Sequence, residues 1–463
     1  MKFKNSIFIF RRDLRLFDNT GLNEALKQSE NVFPCFIYNP IQVTDKNKFK
    51  SNNCLQFMNE SLDDLASQLK TNGSILNLLY GPTEKVITDL IKNNNIEAIF
   101  VNNDYTPFSK KRDQSIAKLC KKLKIEFFTF EDALLNPPEK TLKKDNKPYT
   151  VFTPYWRNAS KFTVETPIKT LNSKSLAKAT AKISASYKKL SSVLRQAQDE
   201  RNNEIATHGG RKNCLAILNK ISQFKDYSKT HDIPCLKTTM LSAHNKFGTC
   251  SIREVYHKLK DELGRNHPIL RQLYWRDFFT QITYFFPHVL GKPFKEKYLK
   301  LNWKNSKPNF KKWCEGKTGF PIVDAGMHEL NTTGFMHNRV RMITASFLIK
   351  DLHINWLWGE KYFAQNLVDY DPAVNNGNWQ WVASTGCDAQ PYFRIFNPWN
   401  QQKRFDPGCE YIKKWIPELK NVPARDIHNW HKKHSEFDVN YPAPMVDHNI
   451  ESVKTKEYFK KLK

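Results

Sequence analysis

Five short β-rich runs fall within the first 131 residues: Ile7–Phe10, Val32–Tyr38, Ile75–Tyr80, Ile96–Val101 and Phe127–Phe130. Amphipathic stretches such as Gln56–Leu69 and Lys111–Leu123 separate them. Such alternation predicts an α/β domain over residues 1–131, a parallel sheet with crossover helices of the nucleotide-binding type. No GxGxxG follows the first run, so a ligand there must bind by other means. Beyond Cys214 the apolar period becomes helical, as in Ile252–Leu263, Leu270–Phe286 and Gly326–Leu352, which predicts an all-α domain over residues 213–463. The 463 residues exceed the roughly 250–300 that one core accommodates, so two domains are expected. Residues 132–212 read as a long linker wrapping the surface, opened by Asn136-Pro137-Pro138 and closed by Gly209-Gly210. Within it, 184–208 reads as an insertion of weak helical propensity.

Charge and composition narrow the class. Lys and Arg number 73 against 46 Asp and Glu, a formal net charge of +27, and such a field attracts a polyanion, nucleic acid above all. All tryptophans except Trp156 lie in the helical part, and 13% aromatic residues suffice to line a ring-binding cavity. The nine cysteines form no CxxC pair and no metal-ligand spacing, which predicts a reduced, cytoplasmic compartment and no metal. No segment reaches membrane-spanning length.

Four constellations carry chemistry. On a predicted helix, Gln272, Trp275, Arg276 and Phe279 share a face by three- and four-residue spacing, an arrangement suited to stacking a base and meeting its polar edge. After Gly334, the run Met336–Met342 puts Asn338 one turn from Met342 and beside Arg341. The stretch Asp369–Trp381, rich in turn formers, reads as a loop able to hydrogen-bond a heterocycle. A buried Asp369 or Asp371 would need a cation, and Arg341 is the natural partner. Thr238-Thr239-Met240-Leu241-Ser242 has the composition of a helix N-cap, with hydroxyls and amides that can meet phosphate.

These residues resemble the photolyase/cryptochrome family. The likeness rests on Trp275–Phe279, Gly316–Asp324, Met336–Met342, Asn375–Trp381, Asn397-Pro398 after Phe393–Phe396, and Phe10–Asn19 near the N-terminus. It implies a Rossmann-like antenna domain joined by the linker to an all-α FAD-binding domain, with FAD held by Tyr227, Thr238, Thr239, Met240, Leu241, Ser242, Arg341, Asp369, Tyr370 and Asp371. Asn375 should face the reactive flavin nitrogen, and Trp379, Trp356 and Trp303 should relay electrons to it. Ultraviolet-damaged DNA is the implied partner, its lesion flipped out against Gln272, Trp275, Arg276, Phe279, Asn338, Arg339, Met342 and Trp381, with Gln401 on the strand.

Asn338 and Met342 resemble the branch that splits cyclobutane pyrimidine dimers, since the (6-4) branch has histidines there. Gln272 departs from that pattern, Glu being usual in bacterial dimer enzymes, and predicts lower efficiency. His231 stands where a DNA-contacting Arg is common. A second, antenna chromophore (folate, deazaflavin or flavin) is expected near Asn102–Tyr105 and the loop after Arg11. The expected state is a monomer. The alternatives are a cryptochrome-type photoreceptor, against which the large positive charge and the short stretch after Tyr441–Pro444 count, and a (6-4) photolyase, of which Gln272 is typical.

Overall fold

The computed structural model describes residues 2–168, 173–179, 201–388 and 394–461, so 184–200 of the expected insertion and Phe393 lie outside the described residues. Packing divides the chain into two units. One comprises Met1–Asn203, Thr207–Gln223 and Thr239–Pro287, the other Glu204–Ala206, Phe224–Thr238 and His288–Lys463.

In the first unit the five runs form β1 (Phe3–Phe10), β2 (Ser29–Tyr38), β3 (Asn77–Tyr80), β4 (Ala98–Asn102) and β5 (Glu126–Phe130). They make one parallel sheet in the order β3-β2-β1-β4-β5. Central β1 buries Ile7, Phe8, Ile9 and Phe10, the continuous apolar run of a parallel strand covered on both faces. Helices α1 (Thr20–Gln28), α2 (Asn52–Thr71), α3 (Thr83–Asn94) and α4 (Pro107–Leu123) link the strands. Asn19, Ser51 and Thr106 start three of them by accepting from backbone N–H groups in the first turn.

The strand order reverses between β1 and β4, where open α/β sheets take ligands. There Asn102 donates to Asp13 Oδ2 at 2.6 Å and to Asn19 Oδ1 at 2.8 Å, and accepts from Gly21 N at 2.9 Å. A Cβ on Gly21 would lie 2.7 Å from Asn102 Oδ1, so the close approach needs glycine.

The stretch expected as surface linker holds a helix, α5 (Phe152–Ala159), whose Phe152, Tyr155 and Ala159 are buried. Helices α6 (Leu241–Phe247), α7 (Ile252–Leu263) and α8 (Pro268–Phe285) also belong to this unit. Division by packing therefore runs differently from division by periodicity: Thr239–Pro287 is helical, yet it packs with the sheet.

The second unit is helical and includes α9 (Pro321–Thr333), α10 (Asn338–Lys350), α11 (Trp356–Asn366), α12 (Pro372–Ala383) and α13 (Pro398–Phe405). Its core gathers Trp313, Phe320, Phe347, Trp379 and Trp430. The helical stretch Gly326–Leu352 is two helices, because Gly334 takes φ +69° and closes α9 through its N–H to Leu330 O, while His337 Nδ1 caps α10 by accepting from Arg339 N at 3.2 Å. One expectation is corrected here. Asp369–Trp381 is not a loop beyond Asp371: that carboxylate accepts from Ala373 N and Val374 N, Pro372 takes the first helical position, and α12 follows. No helix among the described residues is long and apolar enough to cross a membrane.

Candidate functional site

In the second unit the expected pair forms: Arg341 Nη2 lies 3.1 Å from Asp369 Oδ2. Arg341 is further held by its Nε donating to Met336 O at 2.7 Å, and its guanidinium lies over the Phe335 ring at 5.0 Å. Asp369 Oδ1 is enclosed with no hydrogen-bond partner among the described residues, which leaves a buried acceptor for a donor from a ligand. His337 Nε2 is likewise enclosed and unpartnered. Burial and Arg341 lower the His337 pKa to about 4, so its imidazole is neutral at ordinary pH. Beneath this pair Glu329 accepts from Tyr411 Oη at 2.6 Å and from His337 N at 3.0 Å, while burial raises its pKa.

Further along, α12 presents Asn375, whose Nδ2 donates to Glu360 O at 3.0 Å. Neighbouring Asn376 donates to Glu360 Oε1 at 2.8 Å and to Val289 O at 2.9 Å. Glu360 was not foreseen in the sequence. Burial pushes its pKa up to about 7, against the opposing hydrogen bond from Asn376. Only the fold brings it under Asn375, so no local pattern around Trp358-Gly359-Glu360 could have flagged it.

The three expected relay tryptophans grade in burial: Trp379 and Trp356 are 3% and 2% exposed, while Trp303 is half-buried. Trp379 meets Phe363 edge to face at 4.9 Å. Asn338 is exposed, with Nδ2 3.9 Å from Met342 Sδ, and Trp381 is half-buried beneath Arg394 at 5.7 Å. Arg339 is engaged within the protein, paired with Asp232 at 2.7 Å and lying 4.4 Å over Phe405. Tyr227 stacks on His231 at 5.2 Å, Tyr370 is half-buried, and Gln401 has an enclosed, unpartnered Oε1.

In the first unit, α8 carries Gln272 exposed, Trp275 and Arg276 half-buried, and Phe279 buried. Phe279 is covered by Trp275 at 5.4 Å and by Phe278 at 5.6 Å, so it belongs to the packing beneath the face. Arg276 donates to Asn245 O at 3.3 Å and stands 3.6 Å from Asp277, whose pKa burial raises to about 6. The expected cap before α6 is corrected: Met240 precedes that helix at φ 55°, and no hydroxyl caps it. Thr238, Thr239 and Met240 are half-buried, Leu241 is buried and Ser242 exposed. Near the sheet's switch point, Arg11 pairs with Asp113 at 2.9 Å and Arg12 with Asp104 at 3.3 Å.

Comparisons with known proteins agree on one family. The model of the family described as DNA photolyase matches residues 6–172, and the one described as the FAD binding domain of DNA photolyase matches 269–461. A deoxyribodipyrimidine photo-lyase of Alkalihalophilus pseudofirmus is 36% identical, covering 97% of each chain. The solved archaeal photolyase from Sulfolobus tokodaii with two FAD molecules is 41% identical, with a TM-score of 0.87 over 99% of this chain and 100% of its own. A bacterial class III photolyase from Agrobacterium tumefaciens is 31% identical, with a TM-score of 0.90 over 100% of this chain and 98% of its own.

Proposed function

The chain belongs to the DNA photolyase family, and from that premise we propose that it binds FAD and uses light to split cyclobutane pyrimidine dimers in ultraviolet-damaged DNA. The observation that carries the proposal is the Arg341–Asp369 pair with its enclosed, unpartnered Oδ1, set directly before the helix that bears Asn375 and Trp379. Bound and reduced, FAD supplies the excited-state electron that opens the cyclobutane ring.

The protein's own residues do the rest. Asp369, held by Arg341, would accept from the cofactor, and the guanidinium beside it would favour a reduced, anionic ring. Asp371 holds the start of α12, and Asn375, held by Glu360 O, would offer its amide oxygen to the flavin. Tyr227, Thr238 and Tyr370 are proposed as further contacts. Thr239, Met240, Leu241 and Ser242, in the other unit, are assigned to the cofactor on the family resemblance alone. Trp379, Trp356 and Trp303 run from buried to half-buried, an order suited to carrying an electron inward from the surface.

For the lesion, the family resemblance assigns Gln272, Trp275 and Arg276 of the first unit and, separately, Asn338, Met342 and Trp381 of the second, and Trp275 and Trp381 each offer a half-buried ring for stacking. Arg339 and Gln401 are assigned to the DNA on the same basis, and the net charge of +27 supports binding to its phosphates. A second, light-harvesting chromophore, a cytoplasmic location and a monomeric state belong to the same proposal.

The test is direct. Purified, reduced protein is irradiated with blue light on an oligonucleotide carrying one thymine dimer, and loss of the lesion is followed. Light-dependent repair is expected; its absence with reduced FAD bound would overturn the reading. A (6-4) lesion should stay intact under the same light, and its repair would move the chain to the other branch.

A further inference from the structure

Trp275 is the residue of α8 best placed to stack a base, and its other face is already taken. The Phe152 ring lies parallel to it, with centroids 3.6 Å apart and planes 8° from parallel. Phe278 closes one edge, its ring 5.7 Å from Trp275 at 84° and 5.8 Å from Phe152 at 78°. Phe152 is 5% exposed, whereas Trp275 is half-buried, so the indole surface left to a ligand is the one turned away from Phe152.

We infer that Phe152 is a positioning residue for lesion recognition: it backs the indole of Trp275 and sets the plane on which a flipped pyrimidine stacks. The inference rests on the proposed function. Its physical content is orientational. A half-buried indole beside an aliphatic side chain can tilt within its pocket, because an irregular neighbour fixes distance and leaves angle free. A second flat ring at van der Waals separation removes that tilt, so the free face is presented before the base arrives and less ordering remains to be done on binding.

The segment bearing Phe152 is anchored to α8 without help from this stack. Thr141 Oγ1 donates to Gln281 Oε1 at 3.2 Å, Gln281 Nε2 to Tyr149 O at 3.0 Å, and Leu135 N to Asp277 Oδ2 at 2.8 Å, while Tyr155 packs on Phe278 at 5.4 Å. Replacing the ring therefore changes the backing of Trp275 and leaves the segment in place.

The experiment measures binding of a duplex with one thymine dimer, and of the same duplex undamaged, to the FAD-loaded enzyme and its variants. Phe152→Leu is expected to weaken dimer binding about fivefold to tenfold, a part of the stacking energy of one base on an aromatic ring. Binding of undamaged duplex, governed by phosphate contacts, should change by less than about twofold. FAD content and repair per bound lesion should be unchanged, and Phe152→Tyr should restore dimer affinity. In a Trp275→Ala background, Phe152→Leu should have no further effect, because its action passes through the indole. If the leucine variant is not recovered, Phe152→Met, apolar and flexible, gives the same reading. Equal weakening for both duplexes, or an undiminished effect in the Trp275→Ala background, would overturn the inference. A wild-type enzyme without preference for the dimer would instead overturn the photolyase reading on which it rests.

Discussion

Gly359 tests the packing around Trp379 through two effects of opposite sign. It lies in α11, and a Cβ there would stand 2.2 Å from Trp379 Cη2, 2.6 Å from its Cζ3 and 2.6 Å from Leu348 Cδ2. On helix propensity alone, Gly359→Ala would stabilise the protein by about 1 kcal/mol. Sterically the indole must retreat by about 1 Å, between Phe363 at 4.9 Å and Trp313 at 6.3 Å, in a core where Leu348 is fully buried. Overpacking of that kind costs about 1–3 kcal/mol, and an indole confined on both sides belongs at the upper end. The net expectation is a loss of about 2 kcal/mol. Denaturant unfolding of the second unit, followed by tryptophan fluorescence, measures it, and light-driven reduction of oxidised FAD should slow as Trp379 is displaced. A variant as stable as wild type, or more so, with unchanged photoreduction, would refute the packing argument.

Trp379→Phe should slow photoreduction of oxidised FAD by at least an order of magnitude while pre-reduced enzyme repairs dimers nearly as before; equal loss of both activities would contradict the relay role. Glu360 makes a pH prediction. Burial holds its pKa at about 7 against an ordinary 4.5, so between those values the folded protein keeps a proton that the unfolded chain has lost. The stability tied to that proton is complete below about pH 4.5 and is lost as pH rises through 7, roughly 3 kcal/mol in all. Glu360→Gln, neutral throughout, should therefore gain on wild type between pH 5 and pH 8 in denaturant midpoints. Parallel pH profiles for the two proteins would rule the assignment out.

The sheet was legible because each strand is a short β-rich run, and a buried parallel strand has to be one. The Arg341–Asp369 pair was legible in part, since a buried Asp369 or Asp371 needs a cation and Arg341 is a natural partner, while the choice of Asp369 rests on the family resemblance. Helix α12 was not. Asn375, Asn376, Gly377 and Asn378 favour turns when read alone, because their side chains and backbone compete for the same hydrogen bonds. In the fold, Asn375 and Asn376 are occupied by Glu360, and Gln380 Nε2 by Val289 O at 3.0 Å and Lys292 O at 3.1 Å. With those groups engaged by distant backbone, the competition disappears and the helix forms. Phe152 escaped notice in the same way: it lies in sequence that reads as linker, and only tertiary packing brings it against Trp275.

The engaged polar groups also decide what α12 can do. Asn375, Asn376, Trp379 and Gln380 are all buried, the i, i+1, i+4, i+5 spacing of one face. That face is locked to Glu360 and to the backbone at 289 and 292, which fixes the rotation of the helix about its axis. At about 100° per residue, Trp381 then points some 200° away from Trp379. One indole is sealed in the core against Phe363, while the other is half-buried and lies under Arg394. The helix thus places the residue proposed as an electron relay and the one proposed for base stacking two positions apart, on opposite sides of its axis. Rotation is the shared variable: loosening the Gln380 contacts should disturb both roles together, whereas substitution of either tryptophan alone should disturb one.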